Sequence, residues 1–210
     1  MATATRRRRL SPQRRREMIL AGATELFAEH GYDGTSMGQI AEAGGITPAV
    51  IYDHFPAKSE LAIELLERHT EELLAKVGDA LREAGPEPAH LMRVGVDAFF
   101  RYVEEHPFAW RMMFRDPPSD PEVAAAYRRL DRRATIGIAA FIELGADGAL
   151  ASFEDPKLAA EMFAEAVKGA QNGLASWWYE HPGIPRCEVV ERMLELSWAG
   201  LERTARGGRA

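Results

Sequence analysis

Apolar residues recur at every third or fourth position along nearly the whole chain, the spacing of one face of an α-helix. Ile19, Ala23, Leu26 and Phe27 form the first such stripe, with His30 in register. Ser11-Pro12 precedes it as an N-cap followed by a proline at the first helical position, and Gly31 closes it. Met37, Ile40 and Ala41 make a shorter second stripe behind Thr35-Ser36, with Gln39 placed to complete a capping box on Ser36. Gly44-Gly45 stops that helix, because glycine enters the left-handed region without steric cost. Thr47-Pro48 opens a third helix, and Phe55-Pro56 ends it, since the residue before a proline is driven out of helical geometry.

Beyond Lys58 the periodic segments lengthen. They predict helices over 57–83 and 88–105, a short one across PFAWRMMF, then long ones over 120–145, 156–180 and 187–205. DPPSDP, GADGA and HPGIP read as the intervening loops. The alternation that marks half-buried strands is scarce, so the expected fold is all-α. The three short helices make an N-terminal head over 11–56, behind an arm over 1–10 expected to be disordered, and 57–206 makes a larger helical-bundle body.

Charge refines this division. The 210 residues carry a net charge of −6, yet residues 1–16 hold seven arginines and no acid. Residues 1–60 contain 8 basic against 7 acidic side chains, and 61–210 contain 18 against 25. A basic end on an acidic body suits a chain that meets a polyanion at one end only. Arg6 to Arg9 could reach a minor groove or act through general attraction alone. The single cysteine, Cys187, forms no internal disulfide, which agrees with a reducing compartment. No apolar run is long enough to cross a bilayer and no signal-peptide core follows the arginines, so the chain is expected in the cytoplasm, away from membranes.

Two short helices joined by a glycine turn form a helix-turn-helix, whose second helix can enter the major groove while the first braces it. Ile46 and Ile51 are its expected core contacts, meeting Ile40 and Phe27. At these residues the stretch GYDGTSMGQIAEAGGITPAVIYDHFPAKSEL resembles the DNA-binding head of TetR-family transcriptional regulators. The resemblance runs from about Arg14 to Leu65 and includes Phe27 to Tyr32, Thr35-Ser36, Ile40-Ala41, Gly44, and Tyr52, His54, Phe55 and Lys58 in register. It implies an all-α homodimer with an N-terminal three-helix head and a body that binds a small effector, usually a repressor released by that effector.

Carried over by position, Thr35, Ser36, Thr47, Tyr52, His54 and Lys58 contact phosphates of double-stranded DNA, while Pro48, Ala49 and Val50 face base edges. Tyr52 is expected to bury its ring and turn its hydroxyl outward. Val50 departs from the usual pattern, because it lacks the hydroxyl often found there and offers only apolar contact, such as with thymine methyls. Asp53 either points away from the backbone or accepts from a cytosine amino group.

In the body, Met92, Phe99, Met113, Tyr127, Phe141 and Met162 are the candidate lining of an effector pocket, since methionine and aromatic side chains adapt to apolar ligands. Tyr127, Arg128, Thr135 and Gln171 could orient a polar end. The last two helices are the candidate dimer interface, through Leu174, Trp178, Val190, Leu194 and Leu201, with Gly169 and Gly173 permitting close approach. An enzyme is disfavoured. Only Glu87 to His90 fits a Glu-x-x-His metal motif, without a second copy, and no His-Glu-x-x-His, Gly-x-Ser-x-Gly or phosphate-cradling glycine loop occurs. No catalytic residue, metal or cofactor is therefore expected. The remaining alternative is a constitutive helix-turn-helix protein without an effector.

Overall fold

Six of the helices begin in the same way, with a polar residue followed by proline: Ser11-Pro12, Thr47-Pro48, Glu87-Pro88, His106-Pro107, Asp120-Pro121 and Asp155-Pro156. Proline at the first helical position costs no hydrogen bond, and four of the preceding side chains accept amides of the first turn. A computed structural model of the chain describes residues 11–114, 118–145, 150 and 153–205, with the backbone alone for 144–145 and 197–205. The basic arm lies outside the described residues.

The elements are α1 (Pro12–His30), α2 (Met37–Ala43), α3 (Pro48–His54), α4 (Lys58–Glu83), α5 (Pro88–Glu105), α6 (Pro107–Met113), α7 (Pro121–Gly145), α8 (Pro156–Tyr179) and α9 (Arg186–Ala205). No strand occurs among the described residues. The all-α expectation holds, and each helix falls where the periodicity places it. α1, α2 and α3 pack into the head. α4 leaves the head and packs on α5 and α7, α5 lies against α9, and α7 pairs with α8.

One apolar core runs through both parts. Ile19, Phe27, Ile40, Ile51 and Phe55 hold the head, and Phe99, Phe100, Trp110 and Trp178 continue it into the body. Phe100 meets Phe99 edge-on with ring centroids 5.1 Å apart, and Trp178 at 6.0 Å. A second, smaller cluster joins α7 to α8 through Ala139, Ile142, Ala160 and Ala164. Above it the ammonium of buried Lys168 donates to Asp131 at 2.8 Å, to Thr135 at 2.8 Å and to Glu165 at 3.0 Å, which compensates its desolvation.

α1 and α4 are joined by His69, whose Nε2 lies 3.1 Å from the Thr24 hydroxyl. Burial pushes the His69 pKa below its ordinary value; Arg68 and His106 act in the same direction and Glu72 against it. The unfolded chain therefore takes up this proton at a higher pH than the folded chain does, so stability falls as pH drops from neutrality through about 6.5. One such proton contributes at most about 1.4 kcal/mol per pH unit. Melting curves between pH 8 and 5 are expected to show a shallower decline for His69→Gln than for the wild type.

Candidate nucleic-acid interface and effector seam

The turn between α2 and α3 is closed by backbone hydrogen bonds from Gly44 to Ile40, Gly45 to Glu42 and Ile46 to Ala41, at 2.9, 3.0 and 2.9 Å. Gly45 carries the reversal at φ 60°, a conformation that residues with a Cβ adopt only at a cost. The capping box of α2 forms as the sequence predicts. The Gln39 amide donates to Ser36 Oγ at 3.2 Å, and the Ser36 amide donates to Gln39 Oε1 at 2.8 Å.

α3 is fastened from below and open above. Ile51 is fully buried and Phe55 nearly so, while Thr47, Pro48, Ala49, Tyr52 and Asp53 are exposed and Val50 and His54 half-buried. The Arg16 guanidinium lies 4.2 Å from the Phe55 ring centroid and donates to the His54 carbonyl at 3.1 Å, holding the end of α3 to α1. The Thr47 hydroxyl makes no cap bond to its own helix. Tyr52 is 52% exposed, so its ring is not buried as the sequence reading expected. On so short a helix, Ile51 and Phe55 already fill the inward face.

Two of the assigned phosphate contacts are engaged within the chain. Thr35 is 2% exposed and its hydroxyl donates to the carbonyls of Gly31 at 2.8 Å and Leu26 at 3.2 Å, so its side chain serves the interior of the α1–α2 turn. The Lys58 ammonium donates to the carbonyls of Tyr32 at 2.8 Å and Thr35 at 2.9 Å and sits 4.0 Å from the Tyr32 ring centroid. Those carbonyls belong to the turn between α1 and α2, outside both helices, and the cation gives them a charged donor. Lys58→Ala is accordingly expected to lower stability by about 2 kcal/mol, as for a hydrogen-bonded charged group, rather than mainly to flatten the salt dependence of DNA binding. Urea unfolding beside a salt titration of operator affinity distinguishes the two.

In the body, two narrow crevices run between α4 and α7, each of about 40 Å³ and both touching Leu66 and Tyr127. The one toward the head is lined by Phe27, Tyr32, Ala62, Met112 and Val123, and the other by Thr70, Leu73, Met113, Phe114 and Leu130. Of the six residues assigned to a pocket, Met113 and Tyr127 line this seam. Met92, Phe99 and Phe141 do not, and Met162 is 66% exposed on the outer face of α8. Thr135 is buried on Glu165 and Lys168 and Arg128 is exposed, so neither faces the seam. A larger open groove of about 610 Å³ lies between α4, α5 and α9. Its cations are already neutralised within the protein, Lys76 by Glu105 at 2.8 Å, Arg101 by Asp97 at 2.8 Å and Arg93 by Glu191.

The assigned dimer residues also need correction. Trp178, Val190 and Leu194 are buried in the chain's own core, the indole N–H of Trp178 donating to the Ile184 carbonyl at 2.8 Å, and Leu174 packs half-buried against the same core. The side chain of Leu201 lies outside the described residues. The outward face of α8 and α9 instead carries Leu158, Met162, Trp177 and Leu196, from 45% to 67% exposed, with Gly169 and Gly173 open between them. Hydrophobicity alone misleads on α8, because its inward stripe combines the small residues Ala160, Ala164 and Ala175 with Lys168, Gln171 and a single tryptophan, Trp178.

Comparison with known proteins decides what this arrangement is. Residues 19–65 match the model of the bacterial regulatory proteins of the TetR family, and residues 88–200 match a tetracycline-repressor-like C-terminal domain. The chain belongs to the TetR family. It is 30% identical over 194 residues to the helix-turn-helix transcriptional activator FasR of Mycolicibacterium smegmatis, covering 92% of this chain and 85% of that one. A TetR-like regulator from Rhodococcus shares the fold with a TM-score of 0.75 at 22% identity, over 92% of this chain and 99% of that one. AibR, solved with isovaleryl coenzyme A and operator DNA, superposes with a TM-score of 0.71 at 18% identity, over 87% and 97% of the two chains. As a TetR-family protein the chain is a DNA-binding transcriptional regulator, not an enzyme. No described helix is long and apolar enough to cross a membrane.

Proposed function

We propose that this TetR-family regulator acts as a homodimer on a twofold-symmetric operator, as a repressor released when a small apolar effector enters the α4–α7 seam. The observation that carries the reading is the outward face of α3, where Thr47, Pro48, Ala49, Val50 and Tyr52 stand over a buried Ile51 and Phe55. Ser36 and His54 flank that face as the phosphate contacts. One seven-residue helix reads too few bases to stand out against a genome's competing sites, so two copies are needed. The exposed apolar face of α8 and α9 supplies a surface for pairing them.

The seam supports the effector part. Its crevices are far below the 300–1,000 Å³ of ordinary ligand sites, so a ligand enters only by parting α7 from α4. Because α4 starts at the head, that movement shifts the two reading helices from the 34 to 36 Å spacing, about one duplex turn, that DNA requires. AibR, which shares the fold, was solved in complex with isovaleryl coenzyme A and operator DNA.

Selection of bound duplexes from a random pool, combined with sedimentation of the free protein, tests the reading. Inverted half-sites and a dimer are expected. A monomer that selects unpaired sites refutes it. Melting shifts across a panel of apolar compounds then test the effector. A compound that raises the melting temperature and lowers operator affinity is expected, and binding to DNA that no stabilising compound alters overturns the effector part in favour of a constitutive DNA-binding protein.

A further inference from the structure

Besides the covalent link at the start of α4 and the packing of α1 on α4 and α6, a set of polar contacts holds the head to the body at the turn after α1. The turn between α1 and α2 meets the N-terminus of α7. The Tyr32 hydroxyl donates to Asp120 Oδ2 at 2.9 Å. Ser119 donates twice to Asp33, from its amide at 3.0 Å and from its hydroxyl at 2.5 Å. Asp120 also accepts the amides of Glu122 and Val123, at 3.0 and 3.2 Å, and so caps α7 with the same carboxylate that receives the tyrosine.

Each side of this clasp is itself held rigid. Gly34 brings the turn so close to α1 that a Cβ there would stand 2.4 Å from the His30 carbonyl oxygen. Lys58 fixes the carbonyls of Tyr32 and Thr35, and Thr35 is buried under the turn. The crevice nearer the head lies directly beneath, with Tyr32, Pro118 and Val123 among its lining residues. Burial and the Asp120 carboxylate hold the Tyr32 phenol well above its ordinary pKa, and the Ser119 donors hold Asp33 below its own. The four side chains thus stay in the donor and acceptor forms that the clasp needs across the neutral range.

We infer that Tyr32, Asp33, Ser119 and Asp120 form a positioning clasp that sets the angle between head and body, and thereby the spacing of half-sites that the dimer accepts. The packing of α1 on α4 and α6 is largely apolar and therefore non-directional, whereas the hydrogen bonds to Asp120 and Asp33 have fixed partners and add a directional constraint on the angle. None of the four residues lies on α3, so their loss leaves base reading intact and loosens only the placement of the two heads. Parting α7 from α4 pulls on the Ser119 and Asp120 end of the clasp, which connects the seam to the head without passing along α4.

This inference rests on the twofold operator reading proposed above. The test is binding-site selection from a random duplex pool by full-length wild type and by the double variant Tyr32→Phe with Ser119→Ala. These substitutions keep the Tyr32 ring under Lys58 and the Asp120 cap on α7. Affinities are then measured for the selected operator, for versions with one base pair inserted or removed between half-sites, and for an isolated half-site.

The wild type is expected to lose about tenfold or more on a one-base-pair change, and the double variant no more than about threefold, with the same half-site sequence and unchanged half-site affinity. An undiminished spacing penalty in the variant overturns the inference while leaving the dimer reading intact. Selection of lone half-sites by the wild type overturns both. If the double variant loses half-site binding, Ser119→Pro with Asp120→Ala, which removes both Ser119 donors and the Tyr32 acceptor and leaves every residue of the head in place, decides the matter by the same spacing measurement.

Discussion

Ala49→Asp is expected to reduce operator affinity by about a hundredfold while leaving the fold and its melting temperature unchanged. Ala49 is exposed at the second position of α3, where a carboxylate is favourable to the helix because it faces unpaired amides. Nothing in the chain opposes the substitution sterically. On DNA the same carboxylate meets the negative field of the groove, and a misplaced like charge at an interface costs several kcal/mol. A gel-shift titration of the selected operator checks the result. Ala125→Asp, which adds the same charge on the exposed side of α7, serves as the control and should change affinity little. Equal losses in both variants would show that net charge, and not the face of α3, governs binding.

Phe55→Ala carries the largest expected effect on stability, a loss of about 3 to 5 kcal/mol. The ring is 2% exposed, closes the C-terminal end of α3, and supports the Arg16 guanidinium that also holds the His54 carbonyl. Removing it leaves a cavity where α1, α3 and α4 meet, and the charged group above loses its platform. Against a typical total stability of about 5 to 15 kcal/mol, this is enough to melt the head and abolish DNA binding. The urea midpoint should fall sharply. Met162→Ala is the comparison, since a side chain that is 66% exposed on α8 should change the midpoint by less than about 0.5 kcal/mol. A large effect there in the dimer would instead mark the outer face of α8 as buried between subunits, which sedimentation of the same variant would reveal.

The division between what was legible in the chain and what was not follows the range of the forces involved. Helix boundaries were legible because they are set locally. A capping side chain followed by proline, a glycine able to take positive φ, and a proline that ends the preceding helix each act within a few residues. The outward face of α3 was legible for the same reason, since two turns of helix with Ile51 and Phe55 inward leave one arrangement for the rest.

Which side chains of the long helices face inward was decided only by tertiary packing. Met162 and Trp177 outrank Ala160 and Ala164 in hydrophobicity, yet the face of α8 packed on α7 carries the alanines and Lys168, while Met162 and Trp177 face outward. Thr35 and Lys58 stand in register with phosphate-contacting positions, but carbonyls of the turn after α1 engage both. The joining of Asp33 to Ser119, 86 residues apart, has no local signature at all. The sequence by itself determined where this protein's helices start and stop and which face the short helix α3 turns outward. Tertiary structure alone decided how the head is held against the body and where a seam exists, because those depend on which distant surfaces meet.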